Sequence, residues 1–207
     1  LGLTASTGDV GLLRAAIDGL TTSGARKAAL RRHIWRPLRF QSLLARFSQP
    51  VAQKVLGAGG QHIGLRTAQD VHERLAQLQD EATAPPIPAA EIEALTDLLA
   101  IRGKLRDALK LLQALTRRLP TIGPAVAHMA VRIKALDTAG VDVAQIGFEV
   151  AYGLTAMEYY DGFVFGFYAA KAGWPAIASG GRYDALTRVL GQGRAVPAVG
   201  GIIRPEY

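Results

Sequence analysis

The spacing of apolar residues along this chain changes from helical to strand-like near residue 140. Before that point, apolar positions recur every three or four residues, as they do on one face of a helix. Beyond it, Val, Phe and Tyr become frequent between glycines, a composition that favours strands. The pattern therefore predicts a mainly helical region over about 25–140 and a sheet-forming region over 141–207.

The start of the chain predicts a strand, a turn and a helix. Residues 1–7 are predicted to form the strand, and Asp9 is a candidate N-cap for the helix. Apolar residues then repeat at helical spacing from Val10 to Leu20, which predicts that this helix buries one face.

The middle of the chain predicts further helices separated by glycine and proline. A glycine-rich bend is expected over 57–64 and a connector over 84–88, because proline lacks the amide donor that a helix needs. Thr67 and Asp70 have the spacing of a capping box. The helices expected are two within 25–47 that separate near Pro37, one after Thr67, two at 89–101 and 104–119, and one at 125–139.

The last third predicts strands and one helix. The strands are expected at 146–152, 162–170, 176–179 and 195–203, and the helix at 183–190. Together with the first strand, they predict an antiparallel sheet packed with helices. The fold class expected is therefore α+β.

Composition narrows the classes of function. A chain of 207 residues with 49% hydrophobic content can bury the core of one domain, so a single domain over 1–207 is expected. Cysteine is absent and the four histidines are scattered, so no metal and no cofactor is predicted. The sequence has no run of eighteen apolar residues and its first residues do not resemble a signal peptide, which favours a cytoplasmic protein with no membrane segment.

Two short segments in the last third carry the most specific chemistry. Glu158–Gly162 reads Glu-Tyr-Tyr-Asp-Gly, and Ser179–Asp184 reads Ser-Gly-Gly-Arg-Tyr-Asp. Tyr159 and Tyr160 stand on a turn into a strand, where the alternation of side chains predicts one ring on each side of the sheet. One phenol facing a pocket can hydrogen-bond an imidazole while its ring packs on the apolar edge.

The second segment adds a glycine pair and an arginine. Gly180 and Gly181 lack side-chain bulk, so a ligand can approach the backbone, and Arg182 can hold a carboxylate or a phosphate. Each piece also has a plain structural explanation, since a tyrosine pair often packs in a core and a glycine pair often makes a turn. Their joint occurrence with Pro197–Gly200 argues against coincidence.

These segments resemble the signatures of class II histidyl-tRNA synthetases and of their non-aminoacylating relatives, the regulatory subunits of ATP phosphoribosyltransferase. The resemblance covers 147–206 well and 7–12 more loosely. It implies a class II aminoacyl-tRNA synthetase-like antiparallel sheet packed with helices, with a helical insertion lobe. It also implies that the N-terminal part of such a domain is missing here and that no anticodon-binding domain is present.

Three single positions and the final segment depart from the synthetase pattern. One of these positions is Glu158, where the synthetase has an aspartate before the tyrosines. Thr155 stands where the synthetase has a catalytic arginine that stabilises charge during histidine activation, and Gly166 stands where a strand should end in glutamate. Arg204–Tyr207 reads Arg-Pro-Glu-Tyr where the synthetase reads Gly-Leu-Glu-Arg, with the last arginine binding ATP. Loss of such a charge-stabilising group typically costs about 3 kcal/mol or more in the barrier.

The resemblance therefore implies a regulatory subunit with no catalytic residues of its own. Its implied partner is a short-form ATP phosphoribosyltransferase catalytic subunit, with histidine as effector and with self-dimerisation inside a hetero-oligomer. By resemblance, Tyr160 and Tyr183 read the imidazole. The full set of expected histidine-binding residues is Tyr159, Tyr160, Gly180, Gly181, Arg182 and Tyr183.

Two other functions remain open at this point. The formal net charge of +7 and the arginines of 26–46, with Trp35 and Phe40 between them for stacking, are also compatible with an RNA-binding paralogue, although nucleic acid is the less favoured partner. The other alternative is a catalytic fragment of a synthetase. His128 has no carboxylate or nucleophile partner at a neighbouring helical position, so a structural or exposed role is expected for it.

Overall fold

The computed structural model describes residues 2–50, 67–154, 159–169, 173–194 and 196–205. These parts of the chain form one six-stranded sheet and eight α-helices. The strands are β1 (Leu3–Asp9), β2 (Arg102–Lys104), β3 (Gly147–Glu149), β4 (Phe163–Ala169), β5 (Ala178–Arg182) and β6 (Val199–Ile203). The helices are α1 (Val10–Gly19), α2 (Gly24–Arg32), α3 (Pro37–Phe47), α4 (Ala68–Thr83), α5 (Ala89–Ala100), α6 (Leu105–Leu115), α7 (Gly123–Thr138) and α8 (Asp184–Leu190).

The sheet has the strand order β2-β3-β1-β4-β5-β6. Within the described residues, four of its five pairings are antiparallel and the β1–β3 pairing is parallel. A parallel neighbour needs a long crossover connection, and here the helices between β1 and β3 supply it. The expected α+β class is confirmed, with a mixed sheet in place of a purely antiparallel one.

β2 is an element that the sequence pattern did not predict. Gly103 was expected to separate two helices, and it does so inside a short strand that pairs with β3, opposite Phe148. The φ angle of Gly103 is +148°, a conformation that residues with a side chain rarely adopt. This glycine lets the chain leave α5, add an edge strand and enter α6 within four residues.

Asp9 joins the sheet to the helices. Its carboxylate accepts a hydrogen bond from the N–H of Gly11 at 3.0 Å, which confirms the predicted N-cap, and another from Nη2 of Arg132 on α7 at 3.1 Å. The main-chain N–H of Val10 donates to Gly162 at the start of β4. Burial raises the pKa of the Asp9 carboxyl, and the neighbouring Arg132 acts against that increase.

The core lies between the sheet and the helices around α1. Along α1 the buried residues include Leu12, Leu13 and Ile17, which pack with Leu98 of α5 and Met129 of α7 in one cluster. The predicted capping box at Thr67 is also confirmed, because the Thr67 and Asp70 main-chain amides each donate to the other residue's side chain. The glycine-rich bend predicted at 57–64 lies outside the described residues.

The arginine-rich segment packs against the core. Arg26 is 1% exposed, its Nη1 donates to the carbonyl of Pro85 at 2.8 Å, and its guanidinium lies over the ring of Phe47. Phe40, which the sequence offered as a base-stacking residue, is 3% exposed. Phe40 is therefore not available for base stacking, and Trp35 is partly buried against the core.

The described parts of the chain contain neither a bilayer-spanning helix nor a cluster of metal ligands. None of the helices there combines the length and apolar character needed to cross a bilayer. Among the same residues, no group of His, Asp or Glu is arranged to hold a metal ion.

Gly180→Ala is expected to destabilise the protein. A methyl group at position 180 would overlap the carbonyl of Gly200 in β6 and lie 2.7 Å from the ring of Phe165. Overpacking of this kind typically costs about 1–3 kcal/mol. Urea unfolding followed by circular dichroism measures the change in the free energy of unfolding.

Gly24→Ala is the matched control for that substitution. A methyl group at Gly24 has no neighbour within 4 Å among the described atoms, and the residue lies in the first turn of α2. This variant should be as stable as the wild type or slightly more stable. Equal unfolding midpoints for the two variants would contradict the close packing of β5 on β6.

Candidate functional site

A cavity of about 1150 Å³ lies along the last three strands of the sheet. Residues of β4, β5 and β6 line it, together with the turn after β3, the loop before β5 and Leu186 of α8. Pro37, at the start of α3, reaches it from the helical region. Both signature segments therefore contribute to one concave surface.

Three tyrosines form an aromatic cluster in the cavity wall. The ring centroids of Tyr159 and Tyr160 are 4.7 Å apart, and the ring of Tyr183 is 5.7 Å from Tyr159 and 6.4 Å from Tyr160. The expectation that Tyr159 and Tyr160 lie on opposite sides of the sheet is wrong. Both precede β4, which begins at Phe163, so the alternation of strand side chains does not apply to them.

Tyr160 is the most enclosed member of the cluster. Its side chain is 8% exposed, whereas Tyr159 is 39% exposed. Burial and the neighbouring Tyr159 raise the pKa of Tyr160 to about 12, and the positive charge of Arg204 acts in the opposite direction. The phenol is therefore neutral at physiological pH and can both donate and accept a hydrogen bond.

The glycine pair makes room for aromatic rings. A side chain at Gly181 would lie 2.8 Å from the ring of Tyr160, and one at Gly180 would lie 2.7 Å from the ring of Phe165. Gly200, opposite Gly181 in the register of β5 with β6, leaves space for the hydroxyl of Tyr183. Gly180 and Gly181 were expected from the sequence to leave space for a ligand. In the structure, aromatic rings of the protein fill that space and shape the cavity.

Arg182 lies at the end of β5 and pairs with Asp184. Its Nε and Nη2 donate to Oδ2 of Asp184 at 2.9 and 2.7 Å, and this ion pair holds the pKa of the Asp184 carboxyl below its usual value. Asp161 accepts hydrogen bonds from the main-chain amides of Asp184 and Ala185 and so caps α8. In the structure Arg182 thus organises the start of α8, and it is not among the residues that line the cavity.

A second tyrosine pair also lines the cavity and was missed by the sequence analysis. The hydroxyls of Tyr152 and Tyr168 are 2.8 Å apart, and both residues line the cavity. A side chain at Gly166 would overlap the Tyr152 hydroxyl. The glycine that stands at the synthetase's glutamate position therefore leaves room for a phenol, and burial raises the pKa of Tyr152.

Arg204 also lines the cavity and was not assigned to the site by the sequence analysis. Its Nη1 donates to the carbonyl of Ala176 at 2.9 Å and to Oγ of Ser179 at 3.3 Å. Among the described residues that line the cavity, Arg204 is the one cation and Glu149 the one anion. The departure of the sequence from Gly-Leu-Glu-Arg at this position was the signal that could have identified it.

The lining can hold a small polar molecule that carries an aromatic or heteroaromatic ring. Tyrosine rings offer flat apolar faces and neutral hydroxyls, and the two charged residues offer one site each for a positive and a negative group. Thr155 and Glu158, two positions at which the chain departs from the synthetase pattern, lie outside the described residues.

The chain is similar in sequence to proteins named ATP phosphoribosyltransferase regulatory subunit. The Mesorhizobium japonicum protein named ATP phosphoribosyltransferase regulatory subunit is 32% identical over 136 residues, which are 65% of this chain and 36% of that protein. The chain thus spans little more than a third of the length of the curated relatives that it matches.

Two solved structures share the fold. One from Bacillus halodurans, described as an ATP phosphoribosyltransferase regulatory subunit/histidyl-tRNA synthetase, matches with a TM-score of 0.59 at 20% identity and covers 98% of this chain and 42% of its own. The histidyl-tRNA synthetase of Nostoc sp. PCC 7120 matches with the same TM-score at 18% identity, over 97% of this chain and 39% of its own. The fold therefore does not separate the two functions.

The family itself follows from the sequence match. The family model described as histidyl-tRNA synthetase matches residues 4–206. Because that match spans nearly the whole length, the chain belongs to the histidyl-tRNA synthetase family.

Proposed function

We propose that this chain belongs to a non-catalytic regulatory subunit of ATP phosphoribosyltransferase. The subunit acts in the first step of histidine biosynthesis, is required for the activity of a short-form catalytic subunit, and binds histidine as a feedback inhibitor. The observation that carries the proposal is the lining of the cavity. It contains the signature tyrosines, but it has Arg204 where the synthetase pattern has glycine. The curated relatives named as regulatory subunits support the same assignment.

Aminoacylation is the function that the residues support least. In the activation of histidine, the carboxylate attacks the α-phosphate of ATP and displaces pyrophosphate, so negative charge builds up on the phosphate oxygens. An enzyme must place cations near that charge. Thr155 has no cation to offer, and Tyr207 stands where the synthetase pattern has its ATP-binding arginine. What the chain retains is the part of the signature that recognises a ligand.

Histidine suits the retained part of the site. Its imidazole is flat, partly apolar and carries a donor and an acceptor, and a neutral phenol can pair with either nitrogen. Tyr160 and Tyr183 lie on the same wall, so one can hydrogen-bond the ring while the other packs on its face. We propose that Tyr159, Gly180 and Gly181 shape this site and that Arg182 supports it through α8; direct contact of Arg182 with histidine stays a prediction.

Association with other subunits is part of the proposal. Apolar side chains are exposed on α8 and β6, namely Val189, Leu190, Val199 and Ile203, each at least 74% exposed in the chain alone. Strongly exposed apolar side chains on neighbouring elements are typical of faces that are covered in an assembly. It supports self-association of the regulatory subunit within a hetero-oligomer.

Mixing the subunits tests the function. The short-form catalytic subunit from the same source is expected to form phosphoribosyl-ATP slowly alone, rapidly after addition of the full-length protein, and slowly again when histidine is added. The reaction is followed by the absorbance of the product. The full-length protein alone should neither transfer phosphoribose nor charge tRNA.

Two results would contradict the proposal. One is failure of the protein to bind or activate the catalytic subunit. The other is aminoacylation of tRNA by the protein alone. An affinity for RNA that falls steeply with salt and depends on the exposed arginines of 26–46 would point to the RNA-binding alternative instead.

Tyr160→Phe is expected to weaken histidine binding about fivefold, which corresponds to about 1 kcal/mol for one lost hydrogen bond. Because the pKa of Tyr160 is raised to about 12, the phenol stays protonated, and its contribution should not change between pH 7 and 9. Isothermal titration calorimetry of the full-length protein with L-histidine measures the affinity.

Tyr168→Phe is the matched control. It removes a hydroxyl from the same cavity, but that hydroxyl pairs with Tyr152 at 2.8 Å. Its effect on histidine affinity should be smaller than that of Tyr160→Phe. The reverse order of effects would place the imidazole at the Tyr152–Tyr168 pair and overturn the assignment of Tyr160.

A further inference from the structure

An arginine occupies the cavity at a position where the synthetase signature has glycine. Arg204 directly follows β6, and its residue type is one of the departures noted in the sequence. We propose that Arg204 binds the α-carboxylate of the amino acid held in the tyrosine-lined cavity. This inference rests on the proposed histidine site and assigns the residue that recognises the acid end of the ligand.

Neutral groups hold Arg204 in place. Its main-chain N–H donates to the carbonyl of Ile177 at 2.7 Å, and its Nη1 donates to the carbonyl of Ala176 and to Oγ of Ser179. These three contacts fix both the backbone and one end of the guanidinium against the segment that leads into β5. Because every acceptor is uncharged, the positive charge of Arg204 is not neutralised by them.

The remaining edge of the guanidinium is open to a ligand. Within the described residues, Nε and Nη2 of Arg204 have no hydrogen-bond acceptor, and no carboxylate there forms an ion pair with this arginine. Arginine presents five N–H donors in a rigid fork, and two parallel N–H groups along one edge match the two oxygens of a carboxylate. The anchored Nη1 leaves one such edge available.

Arg204 and Tyr160 line the same cavity. In addition, the positive charge of Arg204 lowers the pKa of Tyr160 against the larger effect of burial. The imidazole and the carboxylate of histidine are separated by only two carbon atoms, Cβ and Cα. A ligand whose ring meets Tyr160 can therefore present its carboxylate to Arg204.

Arg182, the arginine that the signature itself offers, is less suited to this task. Both donors on one edge of its fork, Nε and Nη2, are used by Asp184. A ligand carboxylate there would compete with an existing ion pair. At Arg204 it would meet a cation whose charge the described residues leave uncompensated.

Calorimetry with two ligands tests the proposal on the full-length protein. L-Histidinol keeps the imidazole and the amine of L-histidine and replaces the carboxylate with a hydroxymethyl group. The wild type is expected to bind histidine at least about tenfold more tightly than histidinol, as a charge-assisted bidentate pair requires. Arg204→Met should lower the affinity for histidine to that for histidinol and leave histidinol binding nearly unchanged.

Arg188→Met is the matched control, since Arg188 is an exposed arginine on α8 that does not line the cavity. It removes the same charge from the protein and should keep the preference for histidine. The comparison of histidine with histidinol on the wild-type protein requires no variant. It therefore still tests the proposal if Arg204→Met fails to fold.

Three results would overturn the proposal. They are equal affinities of the wild type for histidine and histidinol, an unchanged preference in Arg204→Met, and no binding of either ligand. ATP is titrated as a third ligand, because an arginine can also hold phosphate. Loss of ATP binding in Arg204→Met with the histidine preference intact would assign Arg204 to phosphate and likewise contradict the proposal. Activation of the catalytic subunit without histidine tests the proposed function separately.

Discussion

The rings of Tyr160 and Phe165 lie against Gly181 and Gly180, where any side chain would overlap them. This contact brings a turn, two adjacent strands and the signature residues into a single wall. It also sets how closely β6 can approach, because Gly180 faces the backbone of Gly200 and Gly201. The cavity therefore depends on the absence of side chains at a few strand positions as much as on the tyrosines themselves.

The electrostatics of the site follow from that packing. An enclosed phenol with a raised pKa remains a neutral hydrogen-bonding group, which suits a ligand ring that is itself close to neutral. Charge enters the described lining through Glu149 and Arg204, which have no ion pair with each other. A cavity with this distribution favours a zwitterion with an aromatic ring, and its described lining lacks the dense positive charge that a triphosphate needs.

Local signals in the sequence were sufficient for much of the fold. The Asp9 cap and the Thr67 capping box depend on contacts between residues two or three positions apart, and both are confirmed. β2 was missed because three residues around Gly103 carry no alternating pattern; the pairing with β3 depends on residues more than forty positions away. The parallel pairing of β1 with β3 was missed for the same reason.

The residues of the candidate site were also predicted only in part. The signature segments identified the residues that come together, but the alternation rule placed the rings of Tyr159 and Tyr160 wrongly because it assumed a strand where the chain turns. Tyr152, Tyr168 and Arg204 were missed because their places in the cavity are set by strand register and by loop contacts. The pairing of Arg182 with Asp184 likewise depends on how β5 meets α8.

Hydrogen exchange with and without histidine tests the central claim most directly. The full-length protein is exchanged into deuterated water, and peptides are compared by mass spectrometry. Histidine bound in the tyrosine-lined cavity should slow amide exchange in peptides that cover 159–167, 178–183 and 199–204, and leave α4 to α6 unchanged. Protection confined to other regions, or no protection at saturating histidine, would contradict the assignment of this cavity as the histidine site.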